Sequence, residues 1–288
     1  MVEDGVVGKQ RARGAVKRMS HIRWVEGLPR LGYLVRGFLY ATVGFLALQV
    51  ALGAGGITTD IPGAIVNIGA QPPGKVTLVI IAIGLAGYSL WGFVRALLDP
   101  LNRGTSLRGL AERGGYLVSG FAYGVLILPT VRVALGAGRG GETDTQDWTA
   151  WLLSQSYGPW VVGGVGIVAM IGSLGQVYQS ISASFKKDFK QELMSEREMK
   201  WAVRSGRFGL AARGVVFAML GFFLVQAAWL VDHEEIRGLD GALRTVAQQS
   251  SGQVLLGIVA LGLLAFGIFS ALCARWIRVV PRNVPGSK

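Results

Sequence analysis

Arg36 and Arg213 lie inside long apolar segments of this chain, where charged residues are rare and often functional. Arg36 and Arg213 are each a few residues into such a segment, and three further arginines stand near segment ends. A guanidinium at this depth can extend to lipid phosphates, which is the interpretation that we favour. The alternative is a specific site for an anionic lipid or an acidic protein group. The candidate contacts are Arg30, Arg36, Arg113, Arg207 and Arg213.

A second polar position recurs near the opposite ends of the same segments. It is occupied by Gln49, Arg132 and Gln226. If the three side chains converge, they form a polar cluster in which Arg132 selects an anion; otherwise they anchor helix ends. Arg36 and Gln49 are 13 residues apart, which turns them roughly 140° from one another on a helix. The two polar positions therefore do not line one continuous path.

The apolar segments are long enough to cross a lipid bilayer. A helical span needs about 20 apolar residues, and the 288-residue chain is 51% hydrophobic and only 16% charged. This composition excludes an ordinary soluble domain, and the continuity of the segments excludes β-strands. Six transmembrane helices are predicted, at roughly 33–53, 76–98, 116–136, 159–181, 210–231 and 253–277.

Basic residues are distributed asymmetrically about these spans. Of the 29 lysines and arginines, 24 lie on one side if the spans alternate in direction. The positive-inside rule then places both termini in the cytoplasm and the protein in the cytoplasmic (inner) membrane. Residues 1–28 are basic and lack the apolar core of a secretory signal. Orientation thus accounts for the net charge of +12, and no nucleic acid partner is expected.

The chain contains three copies of a two-span unit. Arg-x-Gly opens the first, third and fifth spans, and Gln-x-x-Gly opens each returning span. Because each copy has two spans, all copies share one orientation, which predicts a pseudo-threefold arrangement about the membrane normal. The predicted division is a basic cytoplasmic segment (1–28), the first repeat (29–100), the second repeat (101–183), a charged cytoplasmic connector (184–206), the third repeat (207–280) and a cytoplasmic tail (281–288).

Short amphipathic segments separate the two spans of each copy. Apolar residues recur at near-helical spacing over 62–70, 147–154 and 240–248. Asp147 and Asp240 are suitable N-caps for the second and third of these segments. We expect three short interfacial helices on the outer side of the membrane. Ordinary polar loops are the alternative.

Pairs of small residues one turn apart recur in the outgoing spans. Such pairs let a neighbouring helix backbone approach closely. We expect them to pack helices inside the bundle, and an interface between copies of the chain is the alternative. The residues concerned are Gly37, Ala41, Gly120, Gly124, Gly214 and Ala218.

Residue patterns typical of enzymes are absent from the sequence. His21 and His233 are predicted on opposite sides of the membrane, and Cys273 has no partner cysteine. Neither a Gly-x-Ser-x-Gly motif nor a phosphate-binding loop occurs. We therefore predict no catalytic residues, no cofactor and no metal site. Mixed charges over 186–204 predict an exposed helix, the best candidate surface for a soluble partner.

The repeats resemble a bacterial membrane family catalogued as a domain of unknown function, DUF1206, which has three tandem two-helix copies. The match is closest in the third copy, over 208–217, 238–244 and 262–267. It is weakest in the second copy, where Ser119 replaces the arginine. The resemblance implies the fold and brings no activity with it.

The residue types favour a non-enzymatic membrane protein, either an accessory or scaffold subunit or a lipid-interacting subunit. The rival is a small-solute carrier, in particular for an anion. The layout of three two-helix repeats is similar to that of the mitochondrial carriers, but their Pro-x-acid-x-x-base motif is missing here. The expected partners are membrane lipids and, through 186–204, a larger membrane complex or a soluble protein; the oligomeric state is left open.

Overall fold

The computed structural model describes residues 23–55, 58–100, 103–137, 151–230 and 252–278, with side chains from Gly27 onward. Within these ranges the chain is almost entirely helical. Six helical segments are long and apolar enough to cross a membrane, as the sequence predicts. The helices are α1 (Arg23–Ala51), α2 (Ile61–Gly69), α3 (Gly74–Leu98), α4 (Leu107–Val125), α5 (Ile127–Ala134), α6 (Gly158–Ser182), α7 (Glu196–Leu230) and α8 (Gly252–Trp276).

The third span consists of two helices, α4 and α5, that meet at Leu126. Pro129 explains the break, because it has no N–H to donate to the carbonyl of Val125 four residues earlier. The Thr130 hydroxyl donates to the Leu126 carbonyl at 2.6 Å and satisfies a neighbouring acceptor. At the other end, the Ser106 side chain caps α4 by accepting from the Gly109 amide.

The first short helix is α2, at Ile61–Gly69, within one residue of the predicted 62–70. The Asp60 carboxylate caps it by accepting from the Gly63 amide at 2.7 Å. Ala64 and Ile65 are fully buried, so the helix closes one end of the bundle besides lying at its surface. The second and third short helices fall largely outside the described residues, as do the predicted N-caps Asp147 and Asp240.

Each outgoing span packs against the returning span of the preceding copy. Helix α1 packs on α8, α4 on α3, and α7 on α6. Outgoing and returning spans of the same copy also pack in the first repeat (α1 on α3) and in the third (α7 on α8). The predicted threefold order is therefore present in the contacts between repeats.

The second repeat departs from this order, because its two spans share no packed interface within the described residues. Of the most apolar stretch of each span, 17% is buried in the third span and 22% in the fourth, against 39% to 50% in the other four. The six spans therefore form a ring that is open between α4/α5 and α6.

The end of the bundle formed by 99–100, 103–106, 183–195 and 277–278 is called the connector end here. Residues 184–188 and 191–193 form 3-10 turns, and the helix that follows begins only at Glu196. Phe185 and Phe189 are buried and pack edge-to-face with Phe269 of α8. The prediction of one exposed helix over 186–204 is therefore wrong for the residues before Glu196. Phe185 and Phe189 hold this part of the connector against the bundle.

Candidate functional site

The side chain of Arg36 lies inside the bundle and does not reach its surface. Only 7% of the residue is exposed. Its Nε and Nη2 atoms donate to Ser270 Oγ at 3.3 and 3.1 Å, and Nη1 donates to the Tyr88 hydroxyl. The snorkelling that we favoured from the sequence is therefore wrong for Arg36. Its helical face, shared with the buried Tyr40 and Val43, points to the bundle axis.

Arg213 lies in the same cluster, on the third repeat. Its Nε atom donates to the Tyr40 hydroxyl at 2.9 Å, and its guanidinium carbon is 4.6 Å from the centroid of the Phe217 ring. The guanidinium carbons of Arg36 and Arg213 are each 4.9 Å from the centroid of the Phe266 ring. The two cations are therefore within about 10 Å of each other. Arg213 is half-buried, and its terminal nitrogens donate no hydrogen bond to the described residues.

A third buried arginine, Arg95, lies nearer the connector end. Its Nη1 atom donates to the Tyr33 hydroxyl at 2.8 Å, and its guanidinium carbon is 3.6 Å from the centroid of the Tyr116 ring. These contacts join the first, second and third spans. Arg36, Arg95 and Arg213 together with the tyrosines and Phe266 around them form what we call the arginine–aromatic cluster.

The cluster carries positive charge, and Asp188, which pairs with Arg103, also interacts electrostatically with Arg95. None of the ion pairs among the described residues includes Arg36, Arg95 or Arg213. A cationic side chain in the bilayer core costs about 3 kcal/mol on insertion scales. Contact with an aromatic face offsets up to about 2 kcal/mol of such a cost when the cation is desolvated. The remaining charge makes this region attractive to an anion.

Besides Arg95 Nε within the cluster, two buried polar atoms near it have no hydrogen-bond partner among the described residues. They are the hydroxyl oxygen of Tyr123 on α4 and the Oε1 atom of Gln176 on α6. Tyr123 is 4% exposed and its ring packs edge-to-face on Tyr88; Gln176 is 8% exposed. Buried polar atoms are nearly always hydrogen-bonded, so these two are candidate ligand contacts.

Ion pairs close the connector end below the cluster. Arg103 pairs with Glu112 at 3.0 Å and with Asp188, and Lys187 pairs with Glu112 at 2.9 Å. Partial burial lowers the pKa of Arg103, but Asp188, Tyr116 and Glu112 together outweigh this effect, so the net pKa is raised. The start of α4 is thereby tied to the segment that follows α6.

The arginines near the span ends contact helix termini. Arg113 donates to the carbonyls of Ala96 and Leu97 at the end of α3, at 2.8 and 3.3 Å. Arg207 donates to the Ile181 carbonyl at the end of α6, at 3.2 Å. A cation at a helix C-terminus satisfies free carbonyls and favours the helix dipole. Contact of Arg113 and Arg207 with lipid headgroups stays a prediction. The same holds for Arg30, which is half-buried.

The second predicted polar position does not form a cluster through hydrogen bonds among the described residues. Gln49 and Gln226 are half-buried, and Arg132 is exposed on α5. The exposure of Arg132 is that expected of a residue that anchors a helix end at the membrane surface.

The small-residue pairs lie between repeats. A Cβ atom added at Gly37 would come within 2.8 Å of the Gly267 carbonyl on α8, and one at Gly120 within 3.0 Å of the Ser89 carbonyl on α3. At Gly214 the nearest atom is Val177 Cγ2 on α6, at 3.2 Å. The three copies of the motif thus occupy equivalent helix contacts inside one chain.

Sequence reasoning missed Arg95, Tyr88 and Ser270, which complete the cluster. Two signals are present in the sequence: Arg95 lies within the predicted span 76–98, and a tyrosine or phenylalanine stands four residues after Arg36 and Arg213 in the shared motif. Aromatic residues at helical spacing from a buried arginine indicate cation–π contacts. The partners on the returning helices depend on tertiary packing and carry no such local signal.

Comparison with known proteins agrees with the repeat architecture. The model of the family described as Domain of Unknown Function (DUF1206) matches three times, at 31–99, 114–183 and 208–276. The chain is 34% identical over 249 residues to "Uncharacterized protein YxxB" of Bacillus subtilis (strain 168), which covers 86% of this chain and 90% of the relative. No solved structure matches. The chain is therefore a multi-pass membrane protein that belongs to the DUF1206 family.

Proposed function

We propose that this protein is a non-catalytic, lipid-interacting subunit of the cytoplasmic membrane, with its connector end in the cytoplasm, and that it binds an anionic group at the arginine–aromatic cluster. The observation that carries the proposal is the pair of cations at Arg36 and Arg213, both in contact with Phe266 and neither paired with a carboxylate among the described residues.

The geometry supports binding of an anion in preference to catalysis. The donors are guanidinium and phenol groups, which bind phosphate or carboxylate oxygens through charge-assisted hydrogen bonds. Arg213 supplies the terminal nitrogens that donate no hydrogen bond to the described residues, while three bonds to Tyr88 and Ser270 fix the orientation of Arg36. A fixed arginine beside one whose terminal nitrogens donate to none of the described residues is a suitable arrangement for one anionic group.

A carrier for small anions is the second candidate. The position of the cluster between repeats favours it, because substrate sites of transporters with internal repeats lie at the repeat interface. The ion pairs that tie Glu112 to Arg103 and Lys187 would then close the connector side. The same anion chemistry serves both candidates, so they are separated by the ligand that is bound.

The test compares Arg213→Gln with Arg275→Gln. Both variants remove one positive charge, but Arg275 has a 70% exposed side chain at the connector end. Native mass spectrometry would measure binding of phosphatidylglycerol and, separately, of inorganic phosphate to the detergent-purified protein. We expect Arg213→Gln to weaken binding of phosphatidylglycerol by about tenfold or more and Arg275→Gln to leave it unchanged. Equal affinities in all three proteins would refute the proposal, and binding of phosphate alone would favour the carrier.

A further inference from the structure

The second repeat lacks the two large side chains that fill the centre of the other repeats. In the first repeat Arg36 contacts Tyr88, and in the third Arg213 contacts Phe266. The aromatic residue lies 14 residues after the glycine that opens the returning span in each case. The equivalent residues of the second repeat are Ser119 and Gly172. The second repeat therefore lacks the volume that an arginine and an aromatic side chain occupy in each of the other two repeats.

Equivalent glycines show that this volume is open. A Cβ atom added at Gly32 would lie 2.7 Å from the Tyr88 backbone, and one at Gly209 would lie 2.6 Å from the Phe266 backbone. At Gly115, the equivalent glycine of the second repeat, no neighbouring atom of the described residues lies within 4 Å of the added Cβ. The same is true of Gly172 on the opposite helix. Helices α4 and α6 thus border an opening where the other repeats have a packed interface.

The opening is apolar outside and polar at its inner end. Large apolar side chains are exposed on both bordering helices, among them Val118, one turn after Gly115 on α4, and Val168, one turn before Gly172 on α6. The hydroxyl of Tyr123 and the amide oxygen of Gln176, both buried and without a described partner, belong to the same two helices. An occupant must therefore be apolar at the membrane side and must offer polar groups at the cluster.

The segment 183–195 covers part of the connector end. Its own residues Phe185 and Phe189 are buried against the bundle. The Lys190 amide donates to the Trp276 carbonyl, and the Arg278 amide donates to the Asp188 carbonyl, so the segment is bonded to the end of α8. The opening between α4 and α6 gives a ligand a route from the bilayer to the cluster that leaves these bonds intact.

From these observations we infer that the gap between α4 and α6 is a lateral entry for an anionic phospholipid. Its headgroup phosphate lies at Arg213, within reach of Arg36, and its acyl chains lie between the two helices. Tyr123 donates to a phosphate oxygen, and the Gln176 amide bonds to a headgroup hydroxyl. This inference rests on the proposed function and adds the class of ligand and the path by which it enters.

The experiment fills the opening with the residue type that the other repeats carry. Gly172→Phe adds the ring found at Phe266, and Leu174→Phe is the control, because Leu174 is 70% exposed on the same helix. Phosphatidylglycerol and phosphatidylcholine with the same acyl chains are titrated into each purified protein and followed by native mass spectrometry. We expect Gly172→Phe to lose phosphatidylglycerol binding by about tenfold or more, with Leu174→Phe and the parent equal.

Several results would overturn the inference. Unchanged phosphatidylglycerol binding in Gly172→Phe, with loss in Arg213→Gln, would leave the proposed function standing and exclude this entry. Equal binding of phosphatidylcholine would exclude recognition of the anionic headgroup. Conversion of a dimer to a monomer by Gly172→Phe, with binding unchanged, would assign the opening to a second copy of the chain. If Gly172→Phe does not fold, Gly115→Leu on the facing helix decides: retained binding in a folded protein refutes the entry.

Discussion

The opening in the second repeat can be tested without any ligand, by adding one methyl group at equivalent positions. Gly209→Ala places a Cβ atom 2.6 Å from the N and Cα atoms of Phe266, whereas Gly115→Ala places one in open space. Carbon atoms in contact are normally about 3.5 to 4.0 Å apart. The helix backbones at Gly209 must therefore separate by about an ångström, since the clash is with main-chain atoms.

The size of the effect follows from this comparison. Overpacking of this kind costs about 1 to 3 kcal/mol. Both substitutions replace a helical glycine by alanine and so gain a similar helix propensity, about 1 kcal/mol. The propensity term cancels between the two variants, and the free energy of unfolding should differ by about 1 to 3 kcal/mol. Gly115→Ala should be at least as stable as the parent.

The assay is thermal unfolding in a mild detergent, followed by tryptophan fluorescence at one scan rate, because unfolding of membrane proteins is often irreversible. Gly32→Ala serves as a second packed position, where the added Cβ atom lies 2.7 Å from the Tyr88 backbone. We expect the apparent melting temperatures of Gly32→Ala and Gly209→Ala to fall below that of Gly115→Ala. A loss of stability in Gly115→Ala as large as that in Gly209→Ala would show that α4 and α6 are packed together and would refute the reasoning.

Two further predictions concern orientation and the second polar position. In a Cys273→Ser background, single cysteines at Gln71 and at Glu196, both exposed and at opposite ends of the bundle, should differ in labelling by an impermeant thiol reagent on intact cells. We expect labelling at position 71 only. Labelling at position 196 alone would show that the orientation is opposite to the predicted one. Arg132→Gln should leave expression, melting temperature and co-purifying partners unchanged, because an amide already occupies this position in the other two copies; loss of a bound anionic solute, measured by mass spectrometry, would instead favour the carrier.

Much of the fold is predictable because its causes are local. The lengths of the apolar segments identify six spans, and the recurring glycine motifs identify three copies. The first short helix is predictable within one residue because its apolar positions recur at helical spacing. The connector is not predictable in the same way: mixed charge over 186–204 is compatible with a free helix, and burial of Phe185 and Phe189 depends on a surface that the other spans provide.

The candidate site is predictable only in part. Arg36 and Arg213 stand out in the sequence as charged residues within apolar spans, and Tyr40 shares the helical face of Arg36. The direction in which that face points is not local information. An arginine near a helix end has one favourable position at the headgroups and another inside a bundle that supplies aromatic rings and hydroxyls. The rings and hydroxyl of Tyr88, Phe266 and Ser270 favour the second position here.

The sequence by itself determined that the helices lie in lipid, how many spans there are and that they form repeats. Each of these follows from the lengths of the apolar segments and from residue spacing along the chain. Tertiary structure decided which glycines are covered. Gly115 and Gly209 occupy the same place in the repeated motif, yet one faces open space and the other the backbone of Phe266. A glycine permits close packing but cannot enforce it. Whether a neighbour arrives depends on the side chains of the returning helix, and in the second repeat the ring that would meet the outgoing helix is replaced by Gly172.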